Sequence, residues 1–299
     1  MAKTYRILLD TSSLMYRAFF SMPTTVTNEM GQPVNALHGY LDMTATLVAS
    51  RRPDEVVHVF DDDWRPAPRV AAYAGYKAAR PPDPAGLPQQ FVMLQEVLDA
   101  FGLARADAPG WEAEDAIGVL CARAEREMRT DVVTGDRDLI QLVRDPVVRV
   151  LFTLRGVTKV LELDEAAVVA KYGVPAARYG EFAILRGDPS DGLPGVRGVG
   201  EKTARLLVNA YPNLRALVKD ATSNGLGGPA LRRPLSLRPA IRRAAGYLSI
   251  MEEVVPIRTE VEVRLRQSER DEGRLDALAE RYAVKGPVRR LREALARRR

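Results

Sequence analysis

The chain has 299 residues, 46% of them apolar and 28% charged, a balance that excludes a disordered chain and allows one large domain or a main domain with a smaller one. Its formal net charge of +5 is compatible with an anionic partner without identifying one. A single cysteine, Cys121, excludes an internal disulfide, and no run approaches the roughly 18 to 20 apolar residues needed to cross a membrane, so the cytoplasm is the expected location.

YRILLD at 5–10 reads as a buried strand that delivers Asp10 at its carboxyl end, and Ser12 or Ser13 can start the helix that follows. The pattern recurs. VVHVF at 56–60 leads into Asp61, Asp62 and Asp63, and DVVTGD at 131–136 ends in a turn with Asp136 and Asp138. Residues 37–50, 88–101 and 112–129 between these runs have helical length and period. Alternating strands and helices predict a mostly parallel sheet whose chemistry gathers at the carboxyl ends of the strands.

Residues 64–90, with several prolines, interrupt the pattern and read as a partly ordered lid, helical at most over 69–79. Its cations are Arg65, Arg69, Lys77 and Arg80. Lys77 and Arg80 suit a phosphate, Tyr76 can stack on a displaced base, and Arg65 and Arg69 can equally lie on a solvated face. VVRVLF and VTKVLEL, either side of Arg155 and Gly156, predict a hairpin. Short helices dominate from 164 onward, which divides the chain into units 1–163 and 164–299 and leaves 222–234 as a Gly/Pro-rich connection.

Acidic residues are the main chemical signal. Asp10, Asp61, Glu112, Glu114, Asp115, Asp136, Asp138, Asp188 and Asp191 are all candidates for one cleft. Packed there without cations they repel one another, and hard oxygen donors favour Mg²⁺ or Mn²⁺. Two or more ions would activate water and stabilise charge on a phosphodiester. Glu112, Glu114 and Asp115 can alternatively serve only the amino terminus of a helix. His38 and His58 are the only histidines and fit no acid-base motif, and His58 sits within an apparent buried strand.

In LRGDPSDGLPGVRGVGEKTARLL, Gly195, Gly198 and Gly200 precede Lys202, Thr203 and a helical run. The Walker A register is absent, which removes the main support for nucleotide hydrolysis. A glycine turn between two helices can instead grip the backbone of duplex DNA through amides, or can serve packing alone.

DTSSLMYRAFF, VFDDDWR, YAGYKAAR, PGWEAEDAIG, VTGDRDLIQLV and the glycine segment, in that order over roughly 5–210, resemble the bacterial 5′ to 3′ exonuclease and flap endonuclease family, which includes the nuclease domain of DNA polymerase I. The resemblance implies a PIN-like α/β nuclease core, a helical arch at 64–90 and a C-terminal helix-three-turn-helix module. It assigns Asp10, Asp61, Glu112, Asp115 and Asp136 to the more catalytic metal cluster and Asp138, Asp188 and Asp191 to a second one. Glu114 holds a position that is commonly aspartate, and Gly192-Leu193 replaces a common Asn-Ile pair. Lys77, Arg80 and Tyr76 match arch residues, and Arg17 matches a basic residue near the cleft. The segment 195–203 matches the duplex grip, where members of the family also bind K⁺. The implied activity is cleavage of DNA at 5′ flaps and duplex ends, with RNA–DNA hybrids as a further substrate. The alternatives are a catalytically silent protein that binds branched DNA and a nuclease of single-stranded RNA.

Overall fold

The computed structural model describes residues 4–124, 128–225, 227–232 and 234–297. Strand β1 (Thr4–Asp10) leads into α1 (Thr11–Ser21) and α2 (Asn35–Arg51), and β2 (Glu55–Val59) into α3 (Ala67–Ala72) and α4 (Leu87–Phe101). Next come β3 (Ala104–Asp107), α5 (Ala113–Ala122), β4 (Met128–Thr134), β5 (Val148–Arg155) and β6 (Lys159–Leu163). The helices α6 (Glu165–Tyr172), α7 (Tyr179–Arg186), α8 (Glu201–Ala210), α9 (Leu214–Thr222), α10 (Leu237–Arg243) and α11 (Ala245–Val254) follow. Strand β7 (Arg264–Arg266), α12 (Glu272–Arg281) and α13 (Lys285–Ala296) complete the order.

The seven strands lie in the order β6-β5-β4-β1-β2-β3-β7, with the five central ones parallel and the two outermost antiparallel to their neighbours. Period-two alternation in β1 divides the core. Ile7 and Leu9 face α1, α2, α4, α12 and α13, whereas Leu8 faces α5 and the helices from α6 to α11. All three are fully buried, each a contribution of roughly 1.5–3 kcal/mol, which locks the register because a one-residue slip would exchange the faces.

The chain runs outward from β1 through β2 to β3 and then returns to β4 on the other side of β1. The crevice of this open sheet therefore lies between the carboxyl ends of β1 and β4, where the crossovers diverge. Asp10 and Asp136 are delivered to that point.

The expected hairpin after 145 is the β5–β6 pair. The helix expected over 112–129 ends at Ala122, and Met128 already belongs to β4, because TDVVT is drawn into the sheet between β1 and β5. The last segment is not confined to the helical side. Strand β7 pairs with β3, and α12 and α13 pack on α4 and α2. Among the described residues no helix is long and apolar enough to cross a membrane.

Candidate active site

A cleft of about 1030 Å³ opens at this end of the sheet, lined by Asp10, Asp61, Glu112, Glu114, Asp136 and Asp188 together with Arg17, Lys77 and Arg80. Asp115, Asp138 and Asp191 do not line it and lie buried beneath.

Each carboxylate is held by an element that also needs it. Asp10 caps α1 by accepting from Ser13 N at 3.2 Å, and its other oxygen accepts from the Thr134 hydroxyl at the end of β4 at 2.6 Å. Asp61 accepts from Ala113 N at 2.7 Å, an unpaired amide of the first turn of α5, and from the Ser12 hydroxyl. Of the aspartates after β2 only Asp61 reaches the cleft; Asp62 accepts from Gly110 N and Asp63 from Arg65 N. Glu112 and Asp115 form a capping box on α5, so the structural and chemical readings of these acids hold together. Asp136 accepts from Asp138 N at 2.9 Å, which fixes the turn after β4.

The lid supplies cations. α3 carries Arg69, 1% exposed, into the middle of Glu112, Glu114 and Asp115, three carboxylates whose oxygens lie within 4.8 Å of one another. Its guanidinium bonds Glu112, reaches Glu114 Oε1 at 2.8 Å and Asp115 Oδ1 at 2.8 Å, and lies 5.7 Å and 5.8 Å from the ring centroids of Tyr76 and Trp111. This corrects the solvated reading of Arg69. A planar fork of donors satisfies several carboxylates at once, whereas a buried unpaired charge would be costly. Asp115 accepts a further bond from Arg258 N at 2.9 Å, which leaves it wholly engaged within the protein.

Tyr76, expected to stack on a base, is 2% exposed with its hydroxyl donating to Glu112 Oε2 at 2.6 Å, so neither ring face is free in this conformation. Lys77 pairs with Glu112, and Arg80 pairs with Asp191 at 2.8 Å. Arg17 donates to the carbonyls of Thr153 and Leu154, tying α1 to β5 at the rim of the cleft.

Ion pairs in this region thus go to Glu112, Glu114, Asp115 and Asp191, with Arg186 at 3.8 Å from Asp188. Among the described residues none reaches Asp10, Asp61, Asp136 or Asp138. Burial first, then the neighbouring Asp136 and Asp61, pushes Asp10 up to about 7. Asp138 is held well above the ordinary carboxylate range by burial, Asp136 and Asp191, and Asp136 is raised by burial and by Asp191 against the pull of the Asp138 amide, Lys77 and Arg80. Burial also raises Glu114, while Arg69 and Lys77 pull it the other way. Hard-oxygen donors at the carboxyl ends of β1 and β4, without an ion pair among the described residues, fit one or more divalent cations.

His58 is fully buried with Nδ1 2.6 Å from the Tyr40 hydroxyl, and burial lowers it to about 3, so it is neutral near pH 7. His38 lies beside Asp42 at 3.4 Å and does not line the cleft.

The glycine segment forms a separate surface. Gly195 and Gly198 have φ of 69° and 82°, and a Cβ at Gly195 would strike the backbone of Arg186 and Gly187 where α7 ends. Gly200 leads α8 with no side-chain cap, leaving first-turn amides open. Lys202 is exposed on that turn and Thr203 half-buried behind it.

Arg69, Ser12, Ser13 and Thr134 were not singled out as site residues by the sequence. Arg69 offered a signal only in its fixed place on the one short helical stretch of the lid. The hydroxyls offered none beyond helix starting, because their partners come from other strands.

Comparison with known proteins agrees with this geometry. Residues 6–173 match the family described as 5'-3' exonuclease, N-terminal resolvase-like domain, and residues 174–277 match 5'-3' exonuclease, C-terminal SAM fold. The chain is 41% identical to a 5'-3' exonuclease of Streptomyces coelicolor over 95% of its own length and 98% of the relative's. It is 38% identical to the DNA polymerase I of Mycobacterium leprae, over 98% of this chain and 32% of that one. Its fold is similar to the T5 D15 protein, crystallised with metal ions, at TM-score 0.65 and 14% identity over 99% of this chain and 100% of that one. It is also similar to the catalytic core of Rad2 in complex with DNA substrate, at TM-score 0.64 and 16% identity over 100% and 93% of the two chains. Two adjoining family matches and a relative that is similar end to end establish that the chain belongs to the 5'-3' exonuclease family.

Proposed function

We propose that the chain is a divalent-metal-dependent nuclease that hydrolyses DNA phosphodiesters at 5′ flaps and duplex ends. The observation that carries this reading is the set of buried and half-buried carboxylates at the carboxyl ends of β1 and β4, without an ion pair among the described residues and roofed by a cationic lid. Asp10, Asp61, Asp136 and Asp138, with Glu112 and Glu114 on the lid side and Asp188 and Asp191 below, would hold two or more ions, Mg²⁺ or Mn²⁺. Such ions supply Lewis acidity and lower the pKa of an attacking water. Asp115 supports this set from behind by orienting Arg69 and the start of α5.

Lys77 and Arg80, released from Glu112 and Asp191, would neutralise the scissile phosphate. Arg17 keeps α1 and β5 in fixed relation beside it. The turn at 195–203, with Gly195, Gly198, Gly200, Lys202 and Thr203, would grip duplex backbone as a helix-three-turn-helix, and its carbonyls would take a K⁺ ion. Residues 1–163 form the nuclease unit in this reading, to which β7, α12 and α13 return, and the rest of 164–299 forms the duplex-binding unit, with DNA-associated action in the cytoplasm and RNA–DNA hybrids as secondary substrates.

A 5′-flapped duplex labelled on each strand in turn, incubated with purified protein with and without Mg²⁺ or Mn²⁺, tests the proposal. Metal-dependent cutting near the junction is expected. Tight binding to flap DNA without scission under any metal condition would replace the reading with a silent structure-binding protein, and preferential cutting of unstructured RNA would replace it with an RNA endonuclease.

A further inference from the structure

The turn of the lid at 73–77 rests directly on the 188–193 loop. Lys77 N donates to Asp191 O at 3.0 Å, and the Tyr73 hydroxyl donates to Gly192 O at 3.2 Å. Arg80 reaches the same loop twice, with Nη2 2.8 Å from Asp191 Oδ1 and Nε 3.3 Å from Ser190 O. From α1 the Tyr16 hydroxyl donates to Asp83, which holds the far leg of the lid as well.

Two glycines meet at the centre of this contact. Gly192 has φ of 73°, and a Cβ built on it would land on the Gly75 carbonyl oxygen and lie 3.6 Å from Lys77 N. Backbone faces backbone, so no flexible side-chain end can give way. The turn itself does not demand glycine, since asparagine also visits the left-handed region. The close approach does demand it, because any side chain at 192 and the docked lid exclude each other.

Docking also engages the lid's charges. Lys77 on Glu112 and Arg80 on Asp191 are held by carboxylates of the cleft, and a strand entering beneath the lid must exchange those partners.

We propose that Gly192 is a specificity-determining residue: its missing side chain latches the lid shut in the free chain, and the closed lid selects short or slender 5′ strands over bulky ones. The consequence for DNA rests on the nuclease reading above, whereas the latch stands on the contact alone.

The Lys77–Ala78 peptide bond reports the latch without catalysis. Lys77 is 4% exposed when the lid is docked, and trypsin cuts there only from an opened lid. Tryptic cutting at that bond is followed by mass spectrometry in the metal-free full chain, in Gly192→Asn and in Tyr73→Phe. Gly192→Asn should be cut roughly tenfold faster, equal to about 1.4 kcal/mol on the opening equilibrium, with Tyr73→Phe in between. Both should melt within about 2 °C of the wild type. In Mg²⁺, both variants should also cut a flap with a bulky 5′ adduct faster relative to a one-nucleotide overhang.

Equal tryptic rates in all three proteins would overturn the latch. Faster tryptic cutting with an unchanged ratio of bulky to short substrates would overturn the specificity role. If Gly192→Asn melts far below the wild type, Tyr73→Phe decides by the same two readings. Faster tryptic cutting with no scission of any DNA by the wild type would fault the nuclease reading and leave the latch standing.

Discussion

Two groups of buried carboxylates lie side by side under the lid and solve the same electrostatic problem differently. Glu112, Glu114 and Asp115 surround Arg69, and Glu112 also holds Lys77, so two protein cations face three acids. Asp10, Asp136 and Asp138 have hydroxyls and backbone amides but, among the described residues, no ion pair, and only Asp136 feels the more distant charges of Lys77 and Arg80. The first group is largely balanced by cations of the chain, with Glu112 and Glu114 still at the cleft wall, whereas the second lacks an ion pair among the described residues. Carboxylates that look alike in sequence therefore differ in their partners, one set anchoring a lid and the other held by hydroxyls and amides.

Removing a member of the open group should affect chemistry most. Asp136→Ala should lower single-turnover scission of a 5′-flap duplex by at least about 10³-fold while changing flap affinity little. Its metal-free melting temperature should hold or rise, since a half-buried carboxylate that repels Asp10, Asp138 and Asp191 is gone; a large fall would place Asp136 with the anchoring group. Arg69→Ala should do the reverse. With Glu114 and Asp115 stripped of their ion pair to Arg69 and Glu112 left to Lys77 alone, it should cost about 3–5 kcal/mol of stability by denaturant unfolding, and Arg69→Lys should recover only part because an ammonium lacks the fork. A loss below about 1 kcal/mol would mean that these acids find water or metal instead.

Lys77→Ala lies between the two groups. A drop of about 10- to 100-fold in scission with near-normal binding is expected, and a matched comparison showing only weaker binding would remove Lys77 from the chemistry.

The smallest effect is a linkage. The folded value of Asp10, near 7, exceeds its ordinary one, so the folded state binds the extra proton and metal-free stability falls as pH rises from about 4 toward 7. Divalent ions compete with that proton. The gain in unfolding free energy on adding Mg²⁺, read by denaturant unfolding, should accordingly be greater at pH 8 than at pH 5.5, by on the order of 1 kcal/mol. A gain independent of pH would separate the ion from Asp10 and its neighbours.

Much of this was legible in the residues. YRILLD, VVHVF and DVVTGD became β1, β2 and β4, and each placed its aspartate at the strand's carboxyl end, because a buried parallel strand is a continuous apolar run that stops where the polar crevice begins. The capping box at Glu112 was equally local. Helix α5, by contrast, stopped short of its expected end at 129, since β-branched residues after 130 gain more from pairing with β1 and β5 than from another helical turn.

The sequence by itself determined the alternating α/β order, the acidic crevice and the presence of a proline-rich cationic insertion, all set by periodicity and residue type within short windows. Only the tertiary structure decided which acids are paired, that Arg69 fills one cluster, that Tyr76 is buried and that Gly192 admits the lid. Those outcomes depend on distances between segments as far apart as 119 residues, as in the Tyr73–Gly192 bond, and no local propensity encodes them. Charge pairing and close backbone approach are properties of the packed chain, fixed once the lid settles on the cleft.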